Sequence, residues 1–198
     1  MEASNNKSKP REIKKIENVS DFHKIQLDEL CDRLYTTHKY GHTAREVEEL
    51  RKIYGENVVK KKVKTKPTFL CFGSKTIEIE SVSPPKVVTC LRAGKWIQVA
   101  GKELVPGDFV KINAGEEIPA DLRIIECQEL FLDTTQLTGE IEPQKKTVDC
   151  TNYKDFDQSK NIAFLLDKCT AGEGIGIVLF IGNATTAGKI MPLLEPGE

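Results

Sequence analysis

Three consecutive residues in the segment LDTTQLTGEIEPQKK (132–146) combine chemistry with backbone freedom: Thr138, Gly139 and Glu140. A glycine between a hydroxyl and a carboxylate lets the chain turn sharply and present the acid on a tight loop. A carboxylate so held can orient and partly deprotonate a water molecule. Two acid pairs recur in the chain, Glu116 with Glu117 and Glu140 with Glu142. Spacing alone does not separate either from solvated loop charge. The three histidines are His23, His38 and His42, all ahead of the β-rich region, so a Ser-His-Asp or Cys-His nucleophile site is excluded there. The six cysteines form no CxxC pair and most of them lie far from the histidines, which argues against zinc and for free thiols in a reducing compartment. GNATTAG lacks the Lys-Ser/Thr of a phosphate-cradling loop.

The elements that must position these residues follow from hydrophobic period and turn chemistry. Leu27, Leu30, Cys31 and Leu34 make one helical stripe. HTAREVEELRKIYGEN opens with Thr43 and Glu46 in capping-box spacing and carries Val47, Leu50 and Tyr54 on its apolar face. Gly55 stands where a left-handed cap belongs. The basic run VVKKKVKTKP, followed by TFLCF, reads as a solvated linker or as the approach to a membrane. From residue 76 the texture is β. KVVTCLRAGKWIQVAGKEL predicts a hairpin through Ala93-Gly94, and VPGDFVKI predicts a Pro-Gly turn feeding a strand. DLRIIEC and LFLD read as two short strands, NIAFLL and GIGIVLFIG as two more, and TTAGKIMPLL as the start of a helix.

The domain boundaries expected are a mobile polar tail over 1–19, a helical segment over 20–66, a joint over 67–75 and a β-rich domain over 76–198. The fold class is mainly β, a small distorted jelly roll or β-sandwich with an appended N-terminal helical pair. A formal net charge of −1 (Lys+Arg 29, Asp+Glu 30) argues against a nucleic-acid partner. The first twenty residues are polar, without the pattern of a signal peptide, and the longest apolar run is too short for a membrane helix, so the chain itself is expected to be soluble.

In order and spacing, VPGDFVKINAGEEIPADLRII, LTGE, EPQKK, NIAF and GIGIVLFIGNATTAGKI resemble the actuator domain of P-type cation-transporting ATPases from about residue 76 to 194. The helical pair resembles the segment ahead of the first membrane helix in these pumps. ADLRII, TGEIEPQ and NIAF are most similar to the sodium/potassium and proton/potassium branch. The resemblance implies that Glu140 positions the water that attacks an aspartyl-phosphate, with Thr138 and Gly139 letting the backbone approach the phosphate. It implies phosphorylation and nucleotide-binding domains and membrane helices as partners, an accessory subunit, and Mg2+ and ATP as cofactors of the longer pump. None of these cofactors is expected within this chain, which would lie on the cytoplasmic side of a membrane. Pro106, Gly107 and Asp108, like Pro119, Ala120 and Asp121, are expected to shape turns.

Two departures stand out. Ile141 occupies the place of the family's serine after TGE, which predicts slower dephosphorylation or a weakened transport role. TFLCFGSKTIE stands where the family has a membrane hairpin, so Gly73-Ser74 is read as an engineered joint, with a natural soluble variant as the alternative. Three functions are weighed: a pump actuator, a regulatory or interaction module keeping the actuator fold, and an unrelated ligand-binding β-sandwich.

Overall fold

The computed structural model describes residues 13–16, 20–64 and 76–190; the joint over 67–75 lies outside them. Helix α1 (Leu27–Arg33) and helix α2 (Ala44–Tyr54) form the helical pair. The capping box of α2 is made in both directions: the Glu46 amide donates to the Thr43 hydroxyl at 3.4 Å, and the Thr43 amide donates to Glu46 at 2.8 Å. Gly55 closes α2 at φ 78°, ψ −154°, an extended positive-φ conformation rather than the left-handed helical cap that the spacing suggests.

Among the described residues nine strands follow: β1 (Val59–Lys64), β2 (Thr76–Val82), β3 (Val88–Arg92), β4 (Lys95–Val99), β5 (Phe109–Asn113), β6 (Asp121–Asp133), β7 (Gln144–Lys145), β8 (Ile162–Ala163) and β9 (Lys168–Phe180). One-turn helix α3 (Thr135–Thr138) lies between β6 and β7, and α4 (Thr186–Ile190) follows β9. Strands β1 and β2 pair as an antiparallel ribbon. The other strands make one antiparallel sheet in the order β4-β3-β5-β9-β6-β7, with β8 also on β6. The expected mainly β architecture with its N-terminal helices is present.

Three strand expectations change. The basic run is strand β1, not a linker, because its backbone is paired from Val59 to Lys64. DLRIIEC and LFLD are one strand, bent at Glu129, which takes φ 47°. Opposite that bend sits Gly172 at φ 76°, where a Cβ would lie 2.0 Å from the Glu129 carbonyl oxygen; only glycine allows the two backbones to meet. NIAFLL contributes only the two paired residues of β8. The Ala93-Gly94 hairpin forms as expected, both residues at positive φ.

Strand alternation separates two cores. Cys90, Val110, Leu122, Ile124 and Val178 point to the inner face. Leu91, Phe109, Ile177 and Leu179 point to the outer face, where Phe22, Leu30 and Leu34 cover them. The second half of the central strand β9, residues 176–179, is therefore buried on both sides, which explains why GIGIVLF shows no polar alternation. Arg123, between Leu122 and Ile124, emerges on the outer face and donates to the carbonyls of Phe22 (3.0 Å) and Ile25 (2.6 Å) ahead of α1. Residues 13–16 lie against α2, with the Ile16 amide donating to Tyr54 Oη at 2.8 Å.

Two asparagines bind the start of β1 to the end of β9. Asn57 donates to the carbonyls of Gly101 (3.0 Å) and Pro119 (2.8 Å) and accepts from the Gly182 amide at 2.9 Å. Asn183 accepts from the Lys60 amide and donates to the Lys60 carbonyl, both at 2.7 Å, so its side chain acts as a short strand partner for β1. Among the described residues no helix is long and apolar enough to cross a membrane.

Candidate functional site

The TGE loop begins where β6 leaves the sheet. Asp133, the last residue of β6, accepts from the Thr135 amide at 2.9 Å and so starts α3. Those hydrogen bonds, from the Thr135 hydroxyl first and then its amide, hold the Asp133 carboxyl below the usual range. The single turn closes at Gly139, whose φ of 75° and ψ of 1° are left-handed and whose amide donates to Thr135 O at 3.0 Å. Nothing lies within 4 Å of a Cβ built on Gly139, so its backbone conformation, rather than crowding, requires glycine.

Thr138 shapes this turn with its side chain. Its hydroxyl donates to the Thr134 carbonyl at 3.1 Å and accepts from the Glu140 amide at 3.2 Å, with Thr134 Oγ1 also 3.0 Å away. The Glu140 carbonyl accepts from the Thr135 hydroxyl at 2.9 Å. The Glu140 backbone is thus anchored on both sides while its residue stands exposed. Ile141 beside it is 85% exposed, a large apolar side chain at the loop tip. The structure brings Thr138, Gly139 and Glu140 together on one loop. Glu116 is engaged elsewhere, accepting from the Asn113 amide at 2.8 Å in the turn after β5.

Behind the loop lies a cleft of about 450 Å³ lined by Thr138, Glu140, Gln144, Lys146, Lys160 and further residues. Lys146 is only 6% exposed and donates to the Ile162 carbonyl at 2.7 Å, with its ammonium 5.8 Å from the Phe164 ring centroid. Burial lowers its pKa, opposed by the charges of Asp167 and Glu140. Asp167 accepts from the Phe164 amide at 2.9 Å, while its Oδ1 is buried with no hydrogen-bond partner among the described residues. Burial raises Asp167 to about 7 against the pull of Lys146. Asp121 joins the same region, accepting from the amides of Leu165 (3.0 Å) and Thr186 (2.7 Å), and is raised by burial to about 6.

Sequence reasoning singled out neither Lys146 nor Asp167. Lys146 follows β7, where the expected alternation turns it inward, and that is the one available signal. Asp108 is fully buried: Arg92 grips it with Nη2 at 2.7 Å and Nε at 3.1 Å, and the Val105 amide donates to it at 2.9 Å. Asp108 and Asp121 thus brace turns, and neither is placed to touch a ligand. No group of three His, Cys, Asp or Glu among the described residues could hold a metal ion.

The family described as the P-type ATPase actuator domain matches residues 81–195, more than half of the chain. The chain belongs to the P-type ATPase actuator family. The N-terminal region of cation transporter ATPases matches residues 22–75. Among curated relatives, the sodium/potassium-transporting ATPase subunit alpha-A of Artemia franciscana is 40% identical over 106 residues, covering 54% of this chain and 10% of that protein. The corresponding alpha subunit of Hydra vulgaris is 40% identical over 121 residues, 61% of this chain and 12% of that one. Human subunit alpha-3 is 38% identical over 129 residues, 64% and 13% respectively. This actuator chain therefore spans about a tenth of the length of the curated relatives it matches. Among solved structures, a zinc-transporting PIB-type ATPase in the E2.Pi state aligns with a TM-score of 0.44 and 24% identity over 58% of this chain and 18% of that one.

Proposed function

We propose that this actuator serves an ATP-driven monovalent-cation pump of the sodium/potassium type, and that its TGE loop promotes hydrolysis of an aspartyl-phosphate on a partner domain. The observation that carries the reading is the exposed Glu140, held by the backbone on a turn that Gly139 closes and Thr138 braces. The relatives' identities support the branch. In this mechanism Glu140 accepts a proton from water as its oxygen attacks phosphorus in line, and the aspartate carboxylate departs. A carboxylate near a phosphoryl group is repelled, so the approach forms only when the domains dock. The phosphorylation and nucleotide-binding domains, the membrane helices and an accessory subunit belong to the longer pump, where this domain lies on the cytoplasmic side. So do ATP and Mg2+ as its cofactors.

Glu140→Ala in the longer pump tests this reading. Phosphoenzyme formed from ATP should decay at least 10²-fold more slowly, the scale expected for removal of a general base. Unchanged decay would overturn the assignment of Glu140. Ile141 favours a second reading, a catalytically weakened pump-like protein acting as a regulatory or interaction module, because it sets a bulky apolar side chain beside the reacting carboxylate. Phosphoenzyme of the unmodified pump that turns over no faster than the Glu140→Ala variant would favour this second reading.

A further inference from the structure

A second cavity, of about 500 Å³, opens between the start of β1, the end of β9 and α2, apart from the TGE loop. Its volume falls in the range of small-molecule sites, roughly 300–1,000 Å³. The walls are apolar: Phe22, Tyr54, Val58, Leu179 and Ile181. Lys15, Lys60 and Lys189 also line it, all exposed, with one opposing carboxylate from Glu56. The Lys189 ammonium lies 5.2 Å from the centroid of the Phe180 ring, which also lines the cavity. The mouth is held in shape by the paired hydrogen bonds between Asn183 and Lys60.

We propose that this cavity binds a single-chain anionic amphiphile, with its alkyl chain against the apolar floor and its carboxylate or phosphate monoester head on Lys15, Lys60 and Lys189. Charge decides the class. Among the described residues that line the cavity three ammonium groups outnumber the single Glu56 carboxylate, which disfavours a cationic head, while the floor offers an uncharged chain the area it needs to leave water. A compact anion such as inorganic phosphate would leave that floor hydrated. The site is independent of the pump assignment, since none of its residues belongs to the TGE loop.

The test titrates the 198-residue chain with laurate and with dodecyl phosphate below their micelle concentrations, following backbone amide shifts by NMR. Saturable one-site binding is expected, with the largest shifts at Ile181, Gly182, Asn183 and Lys189. Dodecyltrimethylammonium should bind at least tenfold more weakly. Ala184→Phe fills the mouth without altering charge and should weaken laurate at least tenfold at an unchanged melting temperature. Lys60→Gln with Lys189→Gln should weaken laurate about tenfold yet leave dodecanol binding in place. Equal binding of the cationic analogue, indifference to Ala184→Phe, or association only with anionic vesicles and not with monomers would each overturn the proposal.

Discussion

At the scale of single residues, the loop separates holding from reacting. Thr138 engages its hydroxyl in the turn, so within residues 138–141 the exposed side chains left to meet a partner are the Glu140 carboxylate and Ile141. Gly139→Ala should lower stability by about 1 kcal/mol by forcing a left-handed alanine; slower phosphoenzyme decay at a temperature where the variant is still fully folded would be its signature. Ile141→Ser in the longer pump should speed decay several-fold, and an unchanged rate would remove Ile141 as a brake. The buried acids predict a pH optimum of stability. Asp167 near 7 and Asp121 near 6 bind protons in the fold at pH values where the unfolded chain has released them. Stability therefore rises as pH falls from about 8 toward 6. His42 and His23 are pushed down, chiefly by burial, so below their ordinary value near 6.5 the unfolded chain gains protons that the fold refuses. Denaturant unfolding of this chain should show a maximum between about pH 6 and 7. Asp167→Asn should flatten its alkaline side.

At the scale of elements, anchors matter more than propensity. Arg123 ties the turn before α1 to the sheet through two carbonyls, and neither bond survives Arg123→Met. That variant should unfold about 1–3 kcal/mol more easily, with hydrogen-exchange protection lost first in α1. Much of this level was legible in the chain itself. Thr43 and Glu46 announce α2, Ala93-Gly94 the hairpin, and Leu27 through Leu34 the buried stripe of α1. The TGE loop was legible as a loop because glycine and small polar residues gather there. What was hidden has a tertiary cause. Four lysines in VKKKVK mask β1, since backbone pairing rather than side-chain pattern makes it a strand. The bend at Glu129 breaks the alternation of β6, so one strand reads as two. Lys146 and Asp167 carry charges that composition assigns to solvent, and their interior places come from tertiary partners, the Ile162 carbonyl for Lys146 and the Phe164 amide for Asp167.

At the scale of the whole molecule, the N-terminal segment is half of a core rather than an appendage. Phe22, Leu30 and Leu34 cover Phe109, Ile177 and Leu179 on the outer face of the sheet. Uncovering those three sheet residues alone forfeits about 5–9 kcal/mol of burial, on the scale of an entire domain's stability. A chain lacking residues 1–41 should melt far below the intact one and bind a hydrophobic dye before it does. The two asparagine clasps carry a mechanical consequence. Asn57 and Asn183 join the strand entering the domain to the segment leaving it, so the two passages cannot shear past one another without breaking several buried or strand-like hydrogen bonds. A torque delivered through either passage must therefore turn the body as a single crank.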